Sequence, residues 1–193
     1  MSEVAIDFLL GPGLISRGIA YFGQGANGWS HCASVIVDTY AGKRRERYLD
    51  ARDNKIGDVP PGVHIREIAS EKWIRKRRAS LKVSEADYAV WEAGLRAHMT
   101  VSYDRDAILG FLEGKSIHTA GRYICSALAL NGVQHMCRSW ISSSLLGAMM
   151  HRVGFVPFPL ADPAHQITPN ACLLILDTAG FTIGPVQYPE QDL

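Results

Sequence analysis

Two residues in this sequence are placed to make a reactive thiol. Cys125 stands where Gly121-Arg122-Tyr123 gives way to the apolar run Ile124-Cys125-Ser126-Ala127-Leu128, which reads as the start of a helix. The unpaired amides of a first helical turn, and the helix dipole, favour negative charge, so a thiol there ionises more readily than a free cysteine of pKa about 8.5. His31 opens a buried strand directly after Trp29-Ser30, where an imidazole is held rigidly beside a cleft and can act as the base. That imidazole needs a third group to fix its tautomer and orientation. Asp50 on the neighbouring strand is the best-placed acid, and Glu46 is the runner-up because period two puts both on one strand face. The chemistry implied is acyl transfer: the Cys125 thiolate attacks a carbonyl carbon, and His31 protonates the leaving group before activating water. The backbone amide of Cys125 would hold the oxyanion, with Tyr123 or Tyr103 as a second donor, and Trp29 is a candidate substrate contact beside the histidine.

Each of these residue types also has a commoner structural use. A cysteine in an apolar helix usually packs as a small hydrophobe, a histidine opening a strand is usually a satisfied core residue, and an acid on a strand edge is usually solvated. Spacing alone does not choose between the two uses.

The elements that must carry these residues follow from periodicity. Leu14 to Phe22 reads as a short helix ended by Gly23-Gln24-Gly25. Ser30 to Val37 is dense in Ala, Val and Ile, as a buried strand should be, and Arg47 to Arg52 alternates as a second strand. Asp38 to Arg45 between them reads as a polar hairpin connection, and Gly57 to Gly62, with two prolines and two glycines, as a loop before a third strand at Val63 to Ile68. Lys82-Val83 reads as a strand. Ser84 then caps a helix whose Tyr88, Trp91, Leu95 and Met99 recur at helical spacing. Further helices are expected at Arg122 to Val133, carrying Cys125 in its first turn, and from Ser139 to Arg152, ending at Gly154. Ala171 to Asp177 is apolar and β-prone, and Pro185 to Leu193 is a polar terminus expected to be poorly ordered.

Composition narrows the function classes. A chain of 193 residues, 47% of them hydrophobic, fits one domain over 1–193 and buries an ordinary core. With 20 Lys+Arg against 19 Asp+Glu there is no global basic field, so a nucleic-acid partner is not expected. The most basic stretch, Lys72 to Arg78, contains an aromatic and could touch phosphate, lipid head groups or an acidic glycan, but reads first as a solvated face. Cys32, Cys125, Cys137 and Cys172 form no CxxC pair, against a disulfide framework or a structural zinc. Cys137 and Cys172 read as buried small hydrophobes. His118, His135, His151 and His165 lack metal-ligand spacing, and the glycines at 11, 13, 18, 23, 25 and 28 form no phosphate cradle, so neither metal nor other cofactor is expected. The opening Met1-Ser2-Glu3-Val4 has no apolar leader, and no apolar run approaches the roughly 18 residues of a membrane span. A cytoplasmic chain is expected, exported if at all by a route needing no signal.

Five pieces, in one order, resemble the circularly permuted NlpC-type cysteine peptidases, the YiiX/YaeF-like papain-fold group in which histidine precedes cysteine. They are Ile15 to Ile19 before Trp29-Ser30-His31-Cys32-Ala33-Ser34-Val35; Leu49-Asp50-Ala51 before Gly62-Val63; Tyr103-Asp104 before Gly110-Phe111-Leu112; Tyr123-Ile124-Cys125-Ser126; and Thr168-Pro169-Asn170. The resemblance implies an α+β, papain-like core with an antiparallel sheet packed on the nucleophile helix, and a triad of Cys125, His31 and Asp50. The sequence departs from the family pattern at Ala127, where a glutamate is usual, at Cys32, where a small apolar residue follows the histidine, and at Asp50, where glutamate is more typical. The implied function is hydrolysis of an amide bond in a peptide or peptidoglycan fragment, in a bacterium or a phage. Two alternatives stand beside it: acyl transfer to a lipid or amine, as in the related lecithin retinol acyltransferase group, and a non-catalytic binding or virion module. An apolar cleft would favour the first, and a Cys125 thiol buried away from His31 the second.

Overall fold

The computed structural model describes residues 1–24, 28–40, 42–55, 58–105, 124–143 and 168–189. In chain order these form β1 (Ser2–Leu10), α1 (Leu14–Gln24), β2 (His31–Tyr40), β3 (Lys43–Arg52), β4 (Gly62–Glu67), a 3-10 turn (Ile68–Ser70), β5 (Arg75–Val83), α2 (Glu85–Arg96), α3 (Cys125–Ser143), α4 (Pro169–Thr178) and β6 (Thr182–Ile183). The six strands make one antiparallel sheet in the order β4-β3-β2-β1-β5-β6, and the fold class is α+β.

β1 lies inside the sheet, paired with β2 on one side and β5 on the other. Its sequence explains the position. Val4, Ile6, Phe8 and Leu10 enter the main core, while Ala5 and Leu9 enter a second apolar cluster on the opposite face with Ala33, Val35 and Tyr48. A strand buried on both faces reads as a continuous apolar run rather than an alternating one, so alternation gives no strand signal over Ile6 to Leu10. The main core is closed by the helices, with Trp91 and Leu95 of α2, Leu128, Val133 and Met136 of α3, and Cys172 and Leu176 of α4.

Six other expectations are corrected. The basic stretch at Lys72 to Arg78 is not simply a solvated face, since β5 begins at Arg75 and runs through it. Its alternate residues Ala79 and Val83 are buried, while the Arg78 guanidinium bonds the buried Asp7 carboxylate of β1 at 2.7 and 3.1 Å. The apolar stretch Ala171 to Asp177 is helix rather than strand: the Thr168 hydroxyl accepts from Ala171 N–H and Pro169 occupies the first turn, two start signals that outweigh β-propensity. The connection between β2 and β3 is tight, because Gly42 adopts φ 73° and lets both strands extend toward it. Residues 139–143 continue α3 rather than open a separate helix, and the rest of that expected helix, 144–152, lies outside the described residues. Cys137 is half-buried, whereas Cys172 is fully buried. The tail is tied to the sheet as far as Gln187, which exchanges both backbone bonds with Lys76.

Ser84 caps α2 as expected, its hydroxyl accepting from Asp87 N–H at 3.1 Å. Where α2 packs on α3, Gly94 allows the close approach: a Cβ there would stand 2.9 Å from the Cβ of His135. Gly94→Ala should therefore lower stability despite alanine's higher helix propensity, because the clash is with a carbon fixed to the α3 backbone. The expected net loss, read as a lower urea midpoint with unchanged slope, is about 1–3 kcal/mol.

Candidate active site

The site is built where the sheet comes apart. β2 pairs with β1 back to His31↔Leu9, and β3 pairs with β4 out to Arg52↔Gly62, but the ladder between β2 and β3 ends at Ser34↔Leu49. His31, Cys32 and Ala33 thus face Asp50, Ala51 and Arg52 across a gap with no backbone ladder. By strand alternation Cys32 and Ala51 point to the helix side, while His31 and Asp50 share the parity of the opposite face with Ala33 and Tyr48. Cys125, the first residue of α3, arrives from the helix side. At the open end of the sheet it comes within hydrogen-bonding reach of His31.

The lead-in to His31 is held from several directions. Ser30 N–H and Oγ both bond Leu9 O, at 3.0 and 3.2 Å. Trp29 N–H donates to Asn170 Oδ1 at 2.7 Å, and the Trp29 ring lies under the Arg75 guanidinium, 4.9 Å from its centroid, while Arg75 also donates to Gly28 O. Trp29 is only 5% exposed, so it acts as an anchor for the start of β2.

Asp50 fixes the imidazole. It is 1% exposed and bonds His31 Nε2 through Oδ2 at 2.5 Å. An ionised carboxylate only accepts, so Nε2 carries the proton and Nδ1 is the nitrogen left for the thiol. Arg66 grips the same carboxylate with two bonds, Nε to Oδ1 at 3.0 Å and a terminal nitrogen to Oδ2 at 2.5 Å. Arg52 approaches Asp50 at 3.4 Å, and both arginines ion-pair with Glu71, Arg66 at 2.9 Å. Glu46 lies elsewhere: it is half-exposed and pairs with Arg78.

The charges follow from these contacts. Burial pushes the Asp50 carboxyl up, but the Arg66 guanidinium and the His31 bond outweigh it and hold the group well below the usual carboxylate range. Burial and Arg52 push the His31 imidazole down, and the Cys125 thiolate and Asp50 carboxylate more than restore it, so its pKa is raised. A hydrogen bond from the Cys32 thiol, and then the charge and hydrogen bond of His31, draw the Cys125 thiol well below its ordinary value against the opposing effect of burial. Cys32, more deeply buried and facing that thiolate, is pushed up. The resting state these directions favour is a thiolate on Cys125 and an imidazolium on His31.

Tyr103 is half-buried close by, its phenol pushed up by burial and by the Cys125 charge. Tyr123 lies outside the described residues, as do His118, His151 and His165. Among the described residues no group of His, Cys, Asp and Glu has the makeup of a metal site, and no helix is long and apolar enough to cross a membrane. Arg66, Arg52 and Glu71 escaped the sequence reading, although Arg66 shares its strand face with Asp50 through the Tyr48↔Arg66 register. Compared with known proteins, the chain is matched by no family model, no curated protein and no solved structure.

The Asp50 charge has a calculable consequence for stability. Its folded pKa lies below the unfolded value of about 3.9, so its stabilisation is fully present above that pH and is lost as the pH falls. Asp50→Asn leaves Arg66 with Glu71 as its only carboxylate among the described residues and should cost about 3 kcal/mol at neutral pH. The same variant should show a flatter loss of stability than the wild type between about pH 5 and pH 2 in urea unfolding.

Proposed function

We propose that this chain is a papain-like cysteine hydrolase of the permuted NlpC type, cleaving an amide bond with Cys125 as nucleophile, His31 as acid-base and Asp50 as the orienting group. The observation that carries the reading is the meeting of Cys125, at the start of α3, with an imidazole whose other nitrogen is fixed by a buried, doubly anchored carboxylate. A binding module that merely kept the fold would need no such arrangement, and its mark would be a thiol remote from His31. The helix start favours the thiolate, and Asp50 favours the imidazolium, so the pair is charged before substrate arrives.

In the reaction, Cys125 Sγ forms a bond to the carbonyl carbon while the oxyanion is received by the Cys125 N–H at the helix start. The C–N bond then breaks as His31 Nδ1–H gives its proton to the leaving nitrogen, which departs as an amine. The neutral imidazole next takes a proton from water, the hydroxide adds to the thioester carbon, and Cys125 leaves as thiolate beside a recharged His31. Asp50 stays ionised throughout, because Arg66 holds it so. The substrate class is peptide, and by the resemblance a bacterial cell-wall peptide; the near-zero net charge favours no polyanionic partner.

The test is iodoacetamide labelling followed site by site by mass spectrometry, across pH, with Cys137 as internal control because burial pushes its thiol up. Cys125 should label well below pH 8.5, and His31→Ala should move its profile up toward that free-thiol value. Turnover of cell-wall peptide fragments should vanish in Cys125→Ala and fall by roughly 10²–10⁴ in His31→Ala. Labelling of Cys125 no faster than Cys137 would sink the catalytic reading, and turnover of lipid esters to an amine acceptor in place of peptide hydrolysis would make the protein an acyltransferase.

A further inference from the structure

Glu71 belongs to no strand of the sheet, yet it holds both arginines that face Asp50. It closes the 3-10 turn after β4, where its N–H bonds Ile68 O at 3.1 Å and the Ser70 hydroxyl donates to Glu67 O at 2.6 Å. The turn brings the Glu71 carboxylate against Arg66 of β4, at 2.9 Å, and against Arg52 of β3. Both guanidiniums meet the same oxygen, Oε2, and the side chain is only 6% exposed. Burying a carboxylate is costly, and the two ion pairs offset that cost.

Asp50 is crowded on one of its oxygens. His31 Nε2 and a terminal nitrogen of Arg66 each lie 2.5 Å from Oδ2, Arg66 Nε lies 3.0 Å from Oδ1, and Arg52 Nε stands off Oδ2 at 3.4 Å. A carboxylate oxygen offers about two lone-pair sites, so a third donor at Oδ2 is in excess. The donor at the longest distance belongs to the guanidinium whose far end is taken by Glu71. We infer that Glu71 is a positioning residue for His31: by holding the far end of Arg52 it keeps that guanidinium off Oδ2 and leaves the oxygen to the imidazole. The inference rests on the proposed role of His31 and adds the group that protects its bond to Asp50.

Among the described residues, Asp50 and Glu71 are the carboxylates with which Arg52 ion-pairs. With no charge at position 71, the Arg52 guanidinium keeps Asp50 alone, closes on Oδ2 and competes with His31 there. Charge acts in the same sense. Without Glu71 the imidazolium would join one carboxylate and two guanidiniums, a group already positive. The charged and titratable groups that face His31 are Asp50 and Arg52 of β3 and Cys125 of α3; Arg52 pushes the imidazole down and the other two raise it. A closer Arg52 and a weaker Asp50 bond both lower the His31 pKa.

The experiment is an NMR titration of the His31 imidazole in the full chain, its signals assigned by their loss in His31→Ala, for Glu71→Gln, Arg52→Gln and the two together. Glu71→Gln should lower the His31 pKa by about one unit, tenfold in the protonation equilibrium. Arg52→Gln should raise it, and the double variant, in which the competing guanidinium is gone, should return most of the shift. In turnover of cell-wall peptide the alkaline limb of kcat should follow the His31 titration while KM stays near its wild-type value. A glutamate that served the fold alone would lower the urea midpoint and leave the titration in place, and the second substitution would deepen the damage. An unmoved titration in Glu71→Gln, or a double variant shifted as far as the single one, overturns the inference. Should Glu71→Gln not fold, Glu71→Asp carries the test: it keeps the charge but is one methylene shorter, and should lower the His31 pKa by less. An unmoved titration there overturns the inference as well. The titration reads His31 whether or not peptide is cleaved, so these outcomes are separate from the failure of the proposed function, in which Cys125 labels no faster than Cys137.

Discussion

A carboxylate buried to 1% exposure cannot stay ionised without compensation, and the arrangement around Asp50 is the compensation. Arg66 meets it with two bonds, His31 with one, and Arg52 approaches behind. Glu71 then balances the two arginines. Two carboxylates against two guanidiniums leave the group neutral overall, so adding the imidazolium of His31 makes it a net cation facing the α3 start. That excess positive charge is what a thiolate on Cys125 neutralises. These buried charges act on the thiol through the imidazole, beside the Cys32 contact that draws it down most.

The same group depends on an incomplete sheet. A ladder continued from Ser34↔Leu49 to the end of β3 would set Ala33, Cys32 and His31 opposite Asp50, Ala51 and Arg52 in ordinary pleated register, leaving Ala33 rather than His31 across from Asp50. Ending the ladder early opens the sheet and frees the Cys32 N–H from any β3 partner. Strand alternation then ceases to be a barrier, because a side chain at the open end can reach around it. The loss of a few cross-strand bonds is offset by the anchors on the lead-in, where Ser30 holds to Leu9 and Asn170 holds Trp29.

How far the sequence reveals this depends on the range of each interaction. Cys125, His31 and Asp50 are legible because each sits at a local landmark: a helix start, a strand start and an alternating strand. α2 is legible from Ser84 and the spacing of Trp91 and Leu95. β1 is not, because burial on both faces erases alternation, and β5 is not, because its Arg78 finds carboxylate partners on other strands. α4 carried its start signals in Thr168 and Pro169, and the apolar composition of 171–177 concealed them. Arg66 and Glu71 lay beyond reach for a different reason, since nothing in the spacing between 50, 66 and 71 reveals register until β3 and β4 are paired. Tertiary contacts decided these cases, and local propensity had no access to them.

The sheet also contains a control for this reasoning. Asp7 on β1 is as buried as Asp50, accepts from the Tyr48 hydroxyl at 2.8 Å, and is gripped by Arg78, which reaches on to Glu46. The two groups even touch, for Arg66 lies over the Tyr48 ring at 5.0 Å. Yet the Asp7 group holds no imidazole and no thiol: its phenol is driven further up by burial and by Asp7, and its guanidinium is raised as well. A buried carboxylate clamped by arginine is therefore a structural motif in this fold, used twice. What distinguishes the Asp50 copy is the imidazole that shares Oδ2 with Arg66 and the thiol beyond it, two groups whose pKa values are drawn in opposite directions, His31 up and Cys125 down. The difference between the copies lies in the neighbouring strand position, where β2 begins at His31 beside one and carries Ala33 and Val35 beside the other. The Asp7 copy lies within the unbroken β1–β2 ladder, and the Asp50 copy lies where the pairing of β2 with β3 has stopped.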